Sequence, residues 1–443
     1  MTAHTGSALA RCEFREQLLP RTILHAFEQS HFYAALWGPA VGTVRRIDDL
    51  SALPMVNKVL LSQSFEDLLT SNEVPALVQQ TSGTGGTPLP IYRSSREIDF
   101  IKFFFSKAIG SSPAGLAPVV LNLTDTYHGP PIEIPGHNYT IPVSITDDAM
   151  LAEACRLVAE PLRIPGVQRH VSAIVGLVPY IKIFTAHLID RGFDFAASRV
   201  SVIVPIATAL SGRWRSLLSD TWGAQVIDRY SLSEIFGGAT LCSDCRNYHF
   251  DATVIPEVVH PISGSRISSG VGILVLTCLY PFVQMQPMIR YRTDDLVEIS
   301  QDSCQTDLSV KFLGRLANAC IVGGEVLVHP MDVHDILDGC PDVASTGRLY
   351  DLATVKDHTA GGVPIFGWEV RSDATEHVTV TWRVGLRYSP KLYPDSSSAL
   401  AHRLESALLS KSPKLKRYIS DARCTLRVEL LPFSELSAPA RKI

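Results

Sequence analysis

The sequence predicts an α/β protein: a large N-terminal domain of β-sheets packed with helices, then a small α+β C-terminal domain. Three observations carry this. The chain has 443 residues, more than one compact core holds, since domains run to about 100–200 residues. From Val119 to Tyr230, β-prone runs alternate with runs of helical spacing, the pattern of helices packed on a sheet. Near Gly314-Arg315 the elements become shorter, and the roughly 130 residues beyond suit a small domain. The expected division is therefore 1–313 and 314–443.

The elements follow in order. The opening region to Leu69 reads as helical pieces joined by loops, with a break at Leu53-Pro54 before a helix that carries Lys58. Val74 to Val78 suits a short strand. Arg96 to Ile109 has Ile98, Phe100, Ile101, Phe104, Phe105 and Ala108 at helical spacing. Strands are expected at 118–123, 171–178, 199–206 and 225–230, with helices at 148–162 and 211–221 between them. A strongly β-prone run covers 270–279. In the last part, 378–384 and 424–431 read as strands and 402–410 as a helix. There is no internal repeat and no low-complexity tract.

Hydrophobic residues make up 46% and charged residues 19%, a globular composition. The net charge of -4 offers no basic stripe for nucleic acid. The start, Met1-Thr2-Ala3-His4, lacks the pattern of a signal peptide. The most membrane-like run, Val171 to Ile189, is interrupted by Pro179, Lys182 and His187. A buried strand followed by a helix fits it better, because a lipid-facing Lys near mid-span is costly. A soluble, cytoplasmic protein with no membrane partner is expected. Nine cysteines, an odd number without a secretion signal, argue against a disulfide framework. Cys12, Cys155, Cys278, Cys320, Cys340 and Cys424 are expected to be small buried hydrophobes.

The segment Gln79-Gln80-Thr81-Ser82-Gly83-Thr84-Gly85-Gly86-Thr87-Pro88 follows an expected strand. Glycines let successive N–H groups point into one concavity, and such nests bind phosphate. It is neither the common P-loop, since no GK[ST] follows, nor a Rossmann fingerprint. Alone it reads equally well as a surface turn.

Its company decides. Tyr230-Ser231-Leu232-Ser233-Glu234 resembles the Tyr-Gly-x-Thr-Glu element of acyl-adenylate-forming enzymes. Arg290-Tyr291-Arg292-Thr293-Asp294-Asp295-Leu296 is similar to their Arg-Tyr-x-Thr-Gly-Asp-Leu element. Gly314-Arg315, before a β-prone run ending in Pro330, resembles their hinge. Together with the Pro54/Lys58 spacing, these motifs look like those of phenylacetate–CoA ligase-like enzymes.

The resemblance implies the superfamily's fold, with a mobile C-terminal lid domain hinged near 315–318. It implies that Thr81, Ser82, Gly83, Thr84 and Gly85 hold the ATP phosphates, with Thr84 also in a catalytic role. Thr208, Tyr230, Ser231 and Ser233 would line the nucleotide, with Tyr230 stacked on adenine. Glu234 would ligate Mg²⁺ and serve catalysis, Asp295 would accept the ribose hydroxyls, and Arg315 would sit near ribose or phosphate. Tyr127 and His128 would contact the acid. This makes physical sense: bringing a carboxylate to the α-phosphate needs Mg²⁺ and fixed donors to neutralise charge, and one carboxylate can accept from two vicinal hydroxyls. Each residue also has a bland reading, Tyr230 as core, Glu234 as a helix-terminal charge, Asp294-Asp295 as a solvated turn and Arg315 as surface.

Cys242-x2-Cys245-x3-His249 has spacing that suits a tetrahedral metal, and Cys304 is a candidate fourth ligand. Some phenylacetate–CoA ligase-like proteins carry a structural zinc formed from these two regions. Reduced thiols beside a surface histidine are the competing reading.

The sequence also departs from the family. Aligned on Arg441-Lys442-Ile443, the family's C-terminal Gly-Lys-x-x-Arg element puts Pro439 where the catalytic lysine belongs. Lys442 takes that role only with a shift in register. Leu316-Ala317-Asn318 replaces the hinge's Asp pair, Ile206-Ala207-Thr208 replaces the Gly-Ala-Glu of the adenine pocket, Asp294 replaces a glycine, and Thr87 stands where the glycine-rich loop usually has Lys.

The implied activity is an ATP-dependent ligase that activates a carboxylic acid, aromatic by family analogy only, as an acyl-adenylate with release of pyrophosphate. The acyl group would pass to CoA, or alternatively to an amine or a carrier protein. A reading of another class is a non-catalytic nucleotide-binding relative. A kinase lacks its lysine motif here. A homodimer is the candidate assembly.

Overall fold

The computed structural model describes residues 8–81, 89–109, 116–123, 138–145, 148–301, 304, 307–346, 363–372 and 377–436. It is a mixed α/β structure. A five-stranded parallel sheet runs in the order Tyr139–Pro142, Ala117–Leu123, Val167–Leu177, Val202–Ile206, Gln225–Val226. Parallel strands are covered on both faces, so their sequences read as nearly continuous apolar runs. Val119, Leu121 and Leu123 pack with the helices Asp148–Ala159, Val178–Asp190 and Gly212–Trp222, while Val120, Ala173, Val175 and Val204 fill the opposite face. Local chemistry sets the helix ends. Ser211 Oγ accepts from the Trp214 N–H at 3.3 Å to start Gly212–Trp222, and Gly223, at φ 61°, ends it in the left-handed region.

The second sheet has seven antiparallel strands in the order Val254–Val259, Gly270–Cys278, Tyr291–Ile299, Ser309–Arg315, Tyr248–Phe250, Ala239–Leu241, Arg229–Tyr230. Its core is shared with the N-terminal helices Ala8–Gln29 and His31–Trp37 through Leu19, Ile23, Phe32, Tyr33 and Trp37. A third core lies wholly between Cys320 and Leu426. There the sheet Phe366–Ser372, Val378–Leu386, Cys424–Pro432 packs on the helices Pro330–Leu337, Pro394–Lys411 and Pro413–Ser420, with Trp382 fully buried.

Most expected elements are present within a few residues. Three expectations are corrected. The strand expected at 74–78 is Leu77–Gln80, paired with Pro90–Arg93. Pro75 has no N–H to give a ladder, and Val74 is exposed. The single strand expected at 225–230 is two: Gln225–Val226 joins the parallel sheet and Arg229–Tyr230 the antiparallel one. Val171 to Ile189 is a strand and a helix as expected, and no helix among the described residues is long and apolar enough to cross a membrane. All nine cysteines are free thiols. However, only Cys278, Cys320 and Cys424 are buried, whereas Cys155 and Cys340 are half-buried and Cys12 is exposed. Cys12 faces outward because Arg11 and Arg15 turn the other side of their helix onto Asp307.

Candidate functional site

The site grows from the edge where Arg229–Tyr230 meets the strands Tyr291–Ile299 and Ser309–Arg315. The Tyr291–Ile299 strand is not regular. Its register slips against Gly270–Cys278 between Arg292 and Leu296 and against Ser309–Arg315 between Leu296 and Val297, and Asp294 takes φ 58°. Such a bulge re-aims the side chain that follows it. Thr293 Oγ1 donates to the Leu274 carbonyl at 2.9 Å and accepts from the Asp295 N–H at 3.1 Å, which holds the bulge. Aspartate tolerates the left-handed region better than most residues, which explains how Asp294 can occupy this position of the strand.

Asp295 is thereby turned toward Tyr230 and Arg315. Tyr230 Oη donates to Asp295 Oδ2 at 2.6 Å, and Arg315 Nε lies 2.9 Å from Oδ1. Arg315 also donates to the Thr293 carbonyl at 2.5 Å. Burial pushes the Asp295 carboxyl up, opposed by Arg315 and by the Tyr230 hydroxyl. Burial likewise raises the Tyr230 phenol, and the neighbouring Asp295 adds to it. One face of Tyr230 is covered by Phe312, with ring centroids 4.0 Å apart and planes inclined by 20°.

Glu234, buried at the start of the next segment, accepts from Tyr291 Oη at 3.3 Å, and Lys58 Nζ lies 3.9 Å from the same oxygen. Burial lowers the Lys58 ammonium, and Glu234 works against that shift. Arg93 Nη2 donates to the Ser233 carbonyl at 2.9 Å, fixing the backbone just before Glu234. Four sequence-distant segments thus bring Lys58, Tyr230, Glu234, Tyr291, Asp295 and Arg315 together. Chemically this is a pair of buried carboxylates flanked by two cations and two phenols.

The remaining expected residues distribute as follows. Thr81 is buried at the neck of the Leu77–Gln80/Pro90–Arg93 hairpin, its hydroxyl accepting from the Leu89 N–H at 2.8 Å. Thr208 is half-buried after the Val202–Ile206 strand, which packs beside Arg229–Tyr230. Ser231 and Ser233 are exposed. Ser82, Gly83, Thr84, Gly85, Tyr127, His128 and Lys442 lie outside the described residues.

A second cluster stands one strand away. The Ala239–Leu241/Tyr248–Phe250 hairpin turns tightly, with the Cys242 N–H on the Asn247 carbonyl at 2.9 Å and Arg246 at φ 60°. This turn presents Cys242, Cys245 and His249 to Cys304, and the four donor atoms lie within 4.8 Å of one another. Tetrahedral zinc places two sulfurs about 3.8 Å apart and sulfur and nitrogen about 3.5 Å apart. Cys242 and Cys304 Sγ are 3.7 Å apart, and His249 Nε2 is 3.5 Å from Cys304 Sγ and 3.1 Å from Cys245 Sγ. The donor set therefore fits a closed zinc site. Behind it, His249 Nδ1 faces Asp307 at 3.9 Å, and Asp307 is held by Arg11 at 3.0 Å. Burial pushes the Asp307 carboxyl up, but His249 and Arg11 outweigh it and bring it to about 2.

The motifs did not reveal Phe312, Asp307 or the place of Lys58. Phe312 carries no sequence signal. Tyr291 was visible within the Arg-Tyr-Arg run but without a role.

No protein-family model and no curated protein matches the chain. Solved structures do. An open conformation of 2-hydroxyisobutyryl-CoA ligase in complex with 2-HIB-AMP and CoA is similar over 97% of this chain and 90% of its own, at 13% identity and TM-score 0.67. An ATP-bound RpMatB-BxBclM chimera is similar over 81% and 64%, at 16% identity and TM-score 0.54. O-succinylbenzoate coenzyme A synthetase from Bacillus subtilis, with ATP and magnesium, is similar over 81% and 66%, at 12% identity and TM-score 0.50. At such identities the likeness establishes the fold alone: this chain shares the mixed α/β fold of these structures.

Proposed function

We propose that this protein is an ATP-dependent ligase that activates a carboxylic acid as an acyl-adenylate, releases pyrophosphate, and passes the acyl group to a thiol such as that of CoA. The observation that carries this reading is the convergence of Tyr230, Glu234, Asp295 and Arg315, drawn from three separate motifs, into one site on a fold shared with ligases solved with acyl-AMP, ATP, CoA and magnesium. On this reading the chain is a phenylacetate–CoA ligase-like protein, residues 1–313 bind ATP and acid, and 314–443 form a lid hinged near 315–318.

The geometry supports the following roles. Asp295 already accepts from Tyr230 and Arg315, so ribose hydroxyls would take over acceptor positions those groups now fill. Arg315, so released, would turn to the phosphates. Tyr230 offers adenine the ring face not covered by Phe312. Glu234 would hold Mg²⁺, an ion commonly bound through one or two carboxylates plus substrate phosphates, where it offsets their charge. In the reaction a carboxylate oxygen attacks the α-phosphorus, and the bond to the β-phosphate oxygen breaks. Thr81 to Gly85 would bind the leaving pyrophosphate. Cys242, Cys245, His249 and Cys304 would hold a structural zinc, with no coordination position left for substrate.

The amide-forming and carrier-protein alternatives draw on the hinge, where Leu316-Ala317-Asn318 replaces charged residues and Trp368 Nε1 donates to the Asn318 carbonyl at 3.1 Å. Product analysis tests the class. With ATP and a panel of aromatic and aliphatic acids, AMP and pyrophosphate are expected. ADP would mean a phosphotransferase, and no nucleotide product with any acid would mean a binding relative. Adding CoA, hydroxylamine or amines to the productive acid then identifies the acceptor.

A further inference from the structure

We infer that Lys58 is a catalytic residue: the cation, supplied by the N-terminal segment, that meets the triphosphate oxygens of bound ATP. The inference rests on the proposed reading of the site as an ATP site and adds to it a residue that the matched motifs leave without a role.

The first ground is delivery. The segment before Lys58 is laid onto the strand that carries Tyr291 and Asp295. The Val56 N–H donates to the Arg290 carbonyl at 3.1 Å, and Arg292 N–H donates to the Val56 carbonyl at 2.8 Å. Arg290 is buried with Glu257, at 3.1 Å, and its other arm binds the carbonyl of Leu53 and, at 3.3 Å, that of Ser51. Asn57 Oδ1 then accepts from the Leu60 N–H at 2.9 Å, starting the helix Lys58–Gln63 at Lys58. Anchors on the main chain at Ser51, Leu53 and Val56 thus fix where the Lys58 side chain departs from the backbone. They aim it inward, with 24% of the side chain exposed.

The second ground is availability. Arg315 reaches the phosphates only once ribose displaces it from Asp295, and it also binds the Thr293 carbonyl. The Lys58 ammonium stands 3.9 Å from Glu234, beyond hydrogen-bond range, and makes no hydrogen bond among the described residues. Its three N–H donors remain for a ligand. The third ground is charge. A triphosphate and an incoming carboxylate beside Glu234 accumulate anions at one place, and the family's C-terminal lysine falls at Pro439 in this sequence. Fixed cations aimed at such charge are worth several kcal/mol in catalysis, about 10²–10³ in rate per donor. Lys58 forms and breaks no bond and keeps its proton throughout. It neutralises oxygens of the polyphosphate as the bond to the α-phosphorus breaks.

The test is isothermal titration of the full-length protein with Mg-ATP and with adenosine, in wild type, Lys58→Met, Lys58→Arg and the exposed control Lys414→Met. Loss of one charge-assisted contact should weaken ATP binding of Lys58→Met about tenfold or more, leave adenosine binding unchanged, and be largely rescued in Lys58→Arg. The control should behave as wild type. If wild type binds ATP and Lys58→Met binds it equally well, the inference is overturned and the reading of the site stands. If wild type binds no ATP, both fall. Should Lys58→Met not fold by circular dichroism, Lys58→Gln repeats the comparison under the same criteria.

Discussion

Replacing Lys182 with methionine should destabilise the fold far more than any surface lysine would. Lys182 sits on the helix Val178–Asp190, is 2% exposed, and pairs with Asp338 at 2.7 Å, just beyond the helix Pro330–Leu337. Ser211 Oγ donates to the other Asp338 oxygen at 2.6 Å, and the Lys182 ammonium lies 5.1 Å from the Trp214 ring centre. Burial lowers the Lys182 ammonium despite Asp338. The Asp338 carboxyl is pushed up by burial but pulled further down by Lys182. The pair as a whole therefore gains little over an apolar replacement, yet breaking it strands a buried carboxylate with one hydroxyl for company. Removing one partner of such a pair costs about 3–5 kcal/mol. Methionine nearly matches the lysine stem in volume, so little cavity cost is added. Lys182→Met should thus lose about 3–5 kcal/mol in urea unfolding followed by tryptophan fluorescence, with hydrogen exchange rising at both helices. The double variant Lys182→Met/Asp338→Asn removes the stranded charge and should recover about half of the loss, a coupling a double-mutant cycle reads directly. A loss below about 1 kcal/mol in the single variant, the level of an exposed ion pair, would refute the argument. So would a double variant no more stable than the single.

Two further predictions concern neighbouring features. Purified protein should carry about one zinc per chain by elemental analysis, as a closed four-donor site requires, and Cys245→Ser should lose it together with exchange protection of the Ala239–Leu241/Tyr248–Phe250 hairpin. Metal-free protein with full hairpin protection would count against a structural site. Gly314→Ala should cost about 1–3 kcal/mol, since Gly314 has φ 101° and an added Cβ would lie 2.7 Å from Pro330 Cβ. Unchanged unfolding in urea would contradict that.

How much of this was readable in the sequence differs from element to element. The parallel sheet was legible because strands buried on both faces write themselves as apolar runs, as at Val119 to Leu123. The split of 225–230 was not, because β-propensity says nothing about which distant strand each residue pairs with. Tyr230, Glu234, Asp295 and Arg315 were found through motif wording, whereas the bulge that aims Asp295 depends on register with two neighbouring strands. Lys58 entered only as part of the Pro54/Lys58 spacing, without a role, and its position follows from backbone bonds to Arg290 and Arg292, far along the chain. Cys304 was named through the resemblance, since no local spacing joins it to the Cys242–His249 run; folding brings the four donors together. Cys12 was misread because a helix residue's burial depends on which face its neighbours Arg11 and Arg15 claim.

The most direct test of adenylation follows oxygen. An acid labelled with ¹⁸O at both carboxylate positions, taken from the panel that supports AMP formation, is incubated with ATP and the acyl acceptor. Attack of the carboxylate on the α-phosphorus leaves one carboxylate oxygen on phosphorus when the acyl group departs. Mass spectrometry should therefore find AMP carrying one ¹⁸O. Unlabelled AMP, or label appearing in inorganic phosphate alongside ADP, would contradict the proposed chemistry.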